Sequence, residues 1–441
     1  MSWLRALSII VLLSNGVVGR ICAAEEISLL QAYELALESD TTYRVAAYQL
    51  DATQARLDGA LALFYPNVSA FGQFSTNEVV YETEGVPDRE YEGERYGLQL
   101  SQRVLDWAAM AEYEARSATL VGQSSILRVE KSMLALRTAE LYFATLAAQG
   151  AARALGDEVT AVNKQLEQST AMLERQLLPL QEYLELAARR DLLLTRRLEA
   201  ENNAKLSLER FYQLVGSRDV RPRENTQVRV TSRMPGDLED IIADALQMSP
   251  RIEVLRQSQE AAKAQIKQTW GGYIPTINLV ANKQYSDVGF DNQSSPARTT
   301  TYLGLNFNWS LFEGGGNNAR LRESWANYYA AGERLVQEQR DLEREIRESW
   351  LGVESTKKQV VAAEQSLKSA QTARGAAVKA YELGAGRLVD VLFALSAITR
   401  AELNVQQAAF DNALNNLRLE LLTDKLTPES LRMVFVDSDG G

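Results

Sequence analysis

The sequence predicts a mainly α-helical protein with membrane β-strands, in which long coiled-coil helices and four strands arise from an internal duplication. Two segments that begin at Ala36 and Ala245 align without gaps at an offset of 209 residues. Further along each half, short stretches alternate strictly between apolar and polar residues, and long stretches show helical spacing. A repeated unit that contains both strand alternation and helical spacing determines the architecture of the whole chain.

Residues 1–24 are typical of a secretory signal peptide. An early arginine precedes an apolar run from Ala6 to Leu13, and small residues follow up to Ala24. The run is too short for a membrane-spanning helix, which requires about 20 apolar residues. Cys22 raises the alternative of a lipid-modified cysteine, but Arg20 does not fit the small-residue context that such processing prefers.

The composition argues against several classes of function. The formal net charge is −11, so no basic surface indicates nucleic acid as a partner. Histidine is absent, which removes the commonest general base and the commonest metal ligand. Because no Ser/Lys/Asp constellation stands at motif spacing either, we expect neither a periplasmic enzyme nor a cofactor or metal. The single cysteine lies in the signal peptide, so stability must come from packing.

In each half a helix ends at a proline and a pair of strands follows. Pro66 and Pro275 mark these joints from helix to strand. In segment 303–311 apolar residues alternate with glycine, asparagine and serine, and segment 96–101 repeats the pattern. One apolar face over about ten residues is typical of a strand that crosses a membrane. A soluble hairpin has the same period, but two hairpins at duplicated positions in an exported chain favour the membrane.

The number of strands then predicts an oligomer. Four strands cannot close a barrel, and open sheet edges are excluded in lipid because their backbone groups stay unsatisfied. A barrel needs at least about eight strands, and about twelve leave room for a channel. The chain must therefore share a barrel with copies of itself and contact outer-membrane lipid. Eight strands would leave no channel, whereas the twelve strands of a homotrimer could leave one.

The helical regions are unusually long. From Arg320 to Leu383 the helical pattern continues over a length of about 95 Å at 1.5 Å per residue. Residues such as Leu155, Val159 and Val162 follow coiled-coil spacing. This spacing predicts closely packed helices, which either build a solid rod or enclose a hollow one.

The sequence YELGAGRLVDVL at 381–392 interrupts the second long helical region, and Pro179 stands at the corresponding place in the first. Glycine after a helix end and proline before a new helix are typical of a turn between antiparallel helices. A phosphate-binding loop would need a preceding strand and a third glycine, and neither is present.

The chain resembles the TolC-type outer-membrane efflux protein family over essentially the whole mature chain. The resemblance rests on the signal peptide, the duplicated halves, the joint prolines, the four amphipathic strands and this turn. The resemblance implies a trimer with a barrel in the outer membrane of a Gram-negative bacterium and a periplasmic α-barrel below it. It also implies passive export in a tripartite efflux or type I secretion system, with a periplasmic adaptor protein and an inner-membrane transporter as partners. The alternative is a structural or adhesive trimeric coiled coil without transport.

The resemblance also divides the chain. Residues 25–216 and 237–424 are the two structural repeats, and residues 217–236 and 425–441 contribute to an equatorial belt midway along the helices. The family's adaptor-contacting tip lies at the two helix–helix turns. Its positions match Leu177, Leu178, Pro179 and Leu180 in the first turn, and Gly384, Ala385, Gly386 and Leu388 in the second.

The tunnel of this family narrows at the tip, where acidic side chains form a ring that favours cations. Asp390 matches the first ring position, and Phe393 replaces a second aspartate found in some members. Asp390 also has a plain explanation, because a negative charge in the first turn of a helix complements the helix dipole.

The same tip contains a contact between neighbouring turns in the family. Tyr381 matches a tyrosine that can bond to the acidic residue of the other turn, here Glu182. Gly386 replaces the partner arginine, and Arg387 follows one residue later, which on a helix rotates its direction by about 100°. In the first turn Gln176 occupies the usual glycine position and Glu182 the usual aspartate position.

Overall fold

The computed structural model describes residues 25–224, 228–230, 236–289 and 293–435. The predicted signal peptide with Cys22 lies outside the described residues, as do parts of both predicted belt segments. Among the described residues, no helix combines the length and the apolar composition needed to cross a membrane.

Each half of the chain contains the same succession of elements, and corresponding elements have equal or nearly equal lengths. The first half comprises β1 (Glu25–Ile27), α1 (Leu29–Ser39), α2 (Thr41–Ala62), β2 (Asn67–Val79), β3 (Arg89–Leu105), α3 (Trp107–Glu174) and α4 (Leu180–Val215). The second comprises β4 (Val220–Pro222), α5 (Leu238–Met248), α6 (Pro250–Gly271), β5 (Thr276–Val288), β6 (Ser294–Asn308), α7 (Gly316–Glu382), α8 (Leu388–Leu422) and α9 (Pro428–Met433). The predicted fold class, mainly helical with four long strands from a duplication, is confirmed.

Local sequence signals explain where the helices begin and end. Ser28 and Gln31 form a capping box at α1, and Asp40 accepts a hydrogen bond from the Tyr43 amide at the start of α2. Helix α6 begins directly at Pro250, where a missing amide hydrogen costs nothing. Helix α4 ends at Gly216, which has the left-handed φ of 71° that glycine tolerates.

The four long strands form one antiparallel sheet in the order β2-β3-β5-β6. Its two hairpins are joined through β3 and β5, where Tyr96 lies opposite Tyr285 and their rings stack at 4.9 Å. The sheet exposes a broad apolar face. Its exposed residues include Val68, Phe74, Leu98, Leu303, Leu305 and Phe307.

Below the sheet the helices pack as two long hairpins. Helices α3 and α7 contain 68 and 67 residues, which corresponds to roughly 100 Å each. Helix α3 packs along α4 and α6, and α7 packs along α8 and α6. Small or apolar residues fill the seams, as the coiled-coil spacing predicts: Val159 and Val162 are almost completely buried.

The main hydrophobic core lies midway along the helices, where α1 and α9 pack against α3, α4 and α8. Its centre is the aromatic group Tyr142, Phe143, Phe211 and Phe410. The Tyr142 hydroxyl donates to the Ile27 carbonyl over 3.0 Å and accepts from the Arg223 amide over 3.1 Å. Burial raises the pKa of Tyr142 to about 12, so this hydroxyl stays neutral and fixes β1 and the segment after β4 to the core.

A cavity of about 500 Å³ opens beside this core, between α8 and α9. Glu420 of α8 lines it, and one carboxylate oxygen, Oε2, is buried without a hydrogen-bond partner among the described residues. Burial raises the pKa of the Glu420 carboxyl, and a hydrogen bond with Ser430 opposes this only in part. The charged form of Glu420 is therefore unfavourable in the folded protein.

We expect Glu420→Gln to raise the thermal midpoint at about pH 7 and to change it little at about pH 4. A carboxyl whose pKa is raised by folding contributes to the stability of the folded protein at pH values below its unfolded pKa. This contribution is lost as the pH rises through the folded pKa. The midpoints are measured by scanning calorimetry in detergent. Glu429→Gln, at an exposed position of α9, is the matched control, and equal shifts for both variants would contradict the prediction.

Candidate functional site

The candidate functional site is the tip at which the two helical hairpins end. The turn of the first hairpin lies between Glu174 and Leu180, and that of the second between Glu382 and Leu388. Residues of both turns, together with the first turns of α4 and α8, include the positions that the sequence predicts for docking and gating.

The two turns have the same backbone structure. Gln176 and Gly384 occupy equivalent positions and both have a left-handed backbone, with φ of 61° and 70°. The amide of the next residue reaches back to the helix in both copies, from Leu177 to the Met172 carbonyl over 2.8 Å and from Ala385 to the Ala380 carbonyl over 2.9 Å. This is the Schellman motif, for which glycine is the favoured left-handed residue. The first turn therefore keeps the geometry while Gln176 bears the conformational strain.

Helices α4 and α8 begin differently after these turns. Pro179 precedes α4 and makes no side-chain capping bond. Arg387 precedes α8 with extended backbone angles, and its amide donates to the Asp390 carboxylate over 3.3 Å. Asp390 thus satisfies a free amide at a helix start, while its side chain remains exposed.

An ion pair joins the two hairpins at the tip. The Arg387 guanidinium, through Nη2, donates to Oε2 of Glu185 on α4 over 2.7 Å. The expected 100° rotation of Arg387 does not apply, because this residue precedes the helix and is not part of it. Both side chains are substantially exposed, so the pair contributes at most about 1 kcal/mol.

The expected contact between Tyr381 and Glu182 is not formed among the described residues. Tyr381 instead packs against the apolar cluster between the hairpins. That cluster consists of Val159, Val162, Leu186, Leu193, Leu388 and Leu392. It fixes the first turns of α8 against α3 and α4.

A buried polar network lies directly above this cluster. The Ser396 hydroxyl of α8 donates to Glu158 of α3 and accepts from the guanidinium of Arg189 on α4. Arg189 also lies 3.6 Å from Glu158, and the carboxylate side chain is only 4% exposed. A charge pair in this environment is strongly coupled, because removal of one member leaves the other buried and uncompensated.

Phe393 contacts this network through Arg189. The Arg189 guanidinium carbon lies 5.7 Å from the centre of the Phe393 ring, within the range of a cation–π contact. Phe393 nevertheless keeps 58% of its surface exposed.

The structure changes the set of residues available for docking. Leu178 and Leu388 are 8% and 4% exposed, so their side chains belong to the interior and not to a docking surface. Leu177 and Leu180 are exposed as expected, at 67% and 59%. Leu383, which the sequence analysis did not select, is the most exposed of these leucines at 84%.

The opposite ends of the helices meet the strands at the two prolines. Pro66 lies between α2 and β2, and Pro275 between α6 and β5. Beside Pro275, the Tyr273 carbonyl accepts a hydrogen bond from the Trp309 indole over 3.1 Å. The Tyr273 hydroxyl donates to Asn318 of α7 over 2.6 Å, which fixes the end of β6 and the start of α7 to the joint.

Comparisons with known proteins place this geometry in context. Residues 241–423 match the family model described as outer membrane efflux protein. Outer membrane protein TolC of Salmonella enteritidis is 23% identical over 411 residues, covering 92% of this chain and 83% of that protein. The alkaline protease secretion protein AprF of Pseudomonas aeruginosa is 24% identical over 425 residues, covering 94% of this chain and 88% of that protein.

A solved structure shares the fold. The CmeC outer membrane channel of Campylobacter jejuni superimposes with a TM-score of 0.78 at 15% identity. The similarity covers 90% of this chain and 85% of that chain.

We expect Gln176→Gly to stabilise the first turn by up to about 1 kcal/mol. The left-handed backbone costs glutamine about 1–2 kcal/mol, and the greater chain entropy of unfolded glycine offsets part of this gain. The readout is slower amide exchange at residues 172–177. Gly384→Ala, at the equivalent position of the second turn, should have the opposite effect, and faster exchange in Gln176→Gly would contradict the prediction.

Arg189→Met and Arg387→Met should differ strongly although both remove an arginine that joins the hairpins. Loss of Arg189 leaves Glu158 buried and unpaired, at a cost of about 3–5 kcal/mol. Loss of Arg387 breaks an exposed pair, at a cost below about 1 kcal/mol. Hydrogen exchange of residues 388–396 measures both, and equal loss of protection would mean that the buried network does not fix α8.

Proposed function

This chain belongs to the outer membrane efflux protein family, and we propose that it forms the exit duct of a tripartite efflux or type I secretion system. The duct conducts solutes passively from an inner-membrane transporter across the periplasm and the outer membrane. The transporter supplies the energy, and the chain itself performs no catalysis.

The sheet is the observation that supports this function most directly. Its edge strands β2 and β6 have 13 and 15 residues, and neither pairs on its outer side with another described strand. A strand of this length spans roughly 43–50 Å, enough to cross the hydrocarbon core at a tilt. An apolar face and two open edges are tolerated in lipid only when the sheet closes. Three copies supply twelve strands, which enclose an aqueous channel.

The helices continue this channel into the periplasm. Helices α3 and α7 follow β3 and β6 after one and seven residues, so a closed ring of strands leads into a ring of helices. Each long helix extends roughly 100 Å from the membrane. The open sides of the two hairpins pack against neighbouring copies in the trimer, with the tip at the periplasmic end.

The tip is the docking surface for a periplasmic adaptor protein. Leu177, Leu180 and Leu383 expose most of their side chains on two adjacent turns. Exposed apolar side chains at the end of a long helical hairpin gain free energy when a partner covers them. An adaptor with an apolar face of matching size connects the duct to the inner-membrane transporter.

Asp390 lines the narrow part of the duct at this tip. Its carboxylate is exposed at the first turn of α8, close to the ion pair between Arg387 and Glu185. Three symmetry-related copies of Asp390 place like charges around the aperture and favour cations. The Arg387–Glu185 pair holds the second hairpin to the first and opposes widening of the aperture.

Planar bilayer recordings test the duct and its aperture together. The purified protein should be a trimer by light scattering in detergent and should form ion-conducting pores. Asp390→Asn should lower the K⁺/Cl⁻ permeability ratio at least about twofold, because three charges leave the aperture. Glu402→Gln removes an exposed charge from the same helix three turns farther from the tip and should leave the ratio unchanged.

Three outcomes are informative against the proposal. A monomer that stays in solution without detergent overturns the shared barrel. A trimer without conductance supports a structural coiled coil. Conducting pores with unchanged selectivity in Asp390→Asn remove Asp390 from the aperture.

A further inference from the structure

We propose that Arg95 and Arg298 form a basic band on the inner wall of the duct near its outer end, and that this band favours anionic solutes at the exit. The inference rests on the proposed closed barrel and adds to it a specificity-determining group. It concerns the opposite end of the molecule from Asp390.

The two arginines lie in one row of the sheet. Arg95 of β3 is directly opposite Ser286 of β5, and Ser286 is directly opposite Arg298 of β6. On the other side Arg95 is opposite Gln73 of β2. Directly paired residues share a face of the sheet, so both side chains project to the same side, from Cα atoms about 9.5 Å apart across two strand spacings.

That side is the inner wall. Residues on the opposite face form the exposed apolar surface, with Leu98, Leu303 and Leu305 between 57% and 72% exposed. Leu98 lies three residues after Arg95, and Leu303 and Leu305 lie five and seven residues after Arg298. An odd separation in a strand places the side chains on opposite faces. Because the apolar face contacts lipid in the proposed barrel, the arginines face the lumen.

The charges of the four strands are separated between the two faces. The inner face contains arginines and no carboxylate within the four strands. The glutamates of these strands, Glu78, Glu90, Glu92 and Glu94, all lie on the outer face with the apolar residues. Asp287, at the irregular end of the β5 pairing, accepts a hydrogen bond from the Glu94 amide over 2.6 Å. No acidic residue of the strands therefore compensates the two arginines within the lumen.

The local contacts leave both charges uncompensated. Arg95 is half-buried and donates through Nη2 to the Gly289 carbonyl over 2.8 Å, a neutral partner. Its Nε is buried without a hydrogen-bond partner among the described residues. Arg298 is exposed and makes no ion pair with any described carboxylate. By contrast, Arg103 at the periplasmic end of the same strand pairs with Asp106 over 2.8 Å.

The position of the row places the band near the exit. Arg95 and Arg298 each lie ten residues before the end of their strands, at Leu105 and Asn308, where the chain turns towards the periplasmic helices. Ten residues of strand extend roughly 33 Å. Both arginines are thus at the outer part of the membrane-spanning region.

The spacing of the arginines around the barrel determines how strongly their electric fields overlap. Twelve strands at a spacing of about 4.8 Å give a circumference of at least roughly 58 Å, so six arginines are on average roughly 10 Å apart. This separation is comparable to the Debye length of about 10 Å at 0.1 M salt. Their fields therefore overlap around the lumen, and strand tilt spreads them into a band instead of a flat ring.

The test is the Cl⁻/K⁺ permeability ratio of reconstituted pores under a KCl gradient near 0.1 M. The double variant Arg95→Gln/Arg298→Gln should lower the ratio at least about twofold, and the difference from wild type should shrink near 1 M salt, where the Debye length is about 3 Å. Arg298→Gln alone, at an exposed side chain, should give a smaller decrease in the same direction.

Two variants serve as matched controls. Lys283→Gln removes one positive charge from the outer face of the neighbouring strand and should leave the ratio unchanged. Arg95→Lys/Arg298→Lys keeps the charge and should retain the wild-type ratio, which separates charge from side-chain shape.

The outcomes distinguish the basic band from the duct itself. Conducting wild-type pores whose ratio is unchanged in both Arg→Gln variants overturn the band and leave the duct intact. A decrease in Lys283→Gln equal to that in Arg298→Gln overturns the assignment of the inner face. A wild-type protein that forms no pores overturns the duct and the band with it.

Discussion

The unpaired edges of one four-stranded sheet determine how the strands and the helices that follow them are arranged. Strands β2 and β6 each leave a row of backbone donors and acceptors unpaired on their outer sides within the described chain, on a sheet whose exposed face is apolar. Lipid cannot replace those hydrogen bonds. Only an assembly of several chains can form them, by closing the strands into a ring. The helices that follow the strands then inherit the symmetry of the ring, and their length sets how far from the membrane the tips lie.

The duplication makes this assembly possible with one chain type. Because β3 pairs with β5, the two repeats meet within a chain in the antiparallel manner in which β6 of one chain must meet β2 of the next. The repeats differ at the starts of α4 and α8. Gln176 and Gly384 hold the same left-handed turn, but Pro179 begins α4 without a capping side chain and Asp390 accepts the first free amide of α8.

The local periodicities of the sequence predicted the elements well. Helices α2 and α6 end four residues before Pro66 and Pro275, and the alternation at 303–311 covers the last six residues of β6, which ends at Asn308. These features depend on residues close in sequence. The contact between Arg387 and Glu185 was missed because the angle rule for helices was applied to a residue that precedes the helix with extended backbone angles.

Contacts between hairpins escape sequence analysis for a different reason. Leu388 was assigned to the docking surface, but it is buried because α8 turns that face towards α3 and α4. The rotation of one hairpin relative to another leaves no periodic signal in either. The same applies to Glu158, Arg189 and Ser396, which come from three helices and meet only in the folded chain.

The tip has a gradient of interaction strength along α8. Just before its first residue, the exposed pair of Arg387 and Glu185 joins the hairpins, and solvent screens this pair. Two to three turns higher, Arg189, Ser396 and Glu158 form the buried network, and separating them would leave a buried charge without its partner. In the trimeric duct proposed above, widening of the aperture is least costly when only the end of the second hairpin moves, with the buried network as its fixed point. Under the same proposal a short displacement at that end suffices to separate three copies of Asp390, while the helices above keep the packing that the closed sheet imposes.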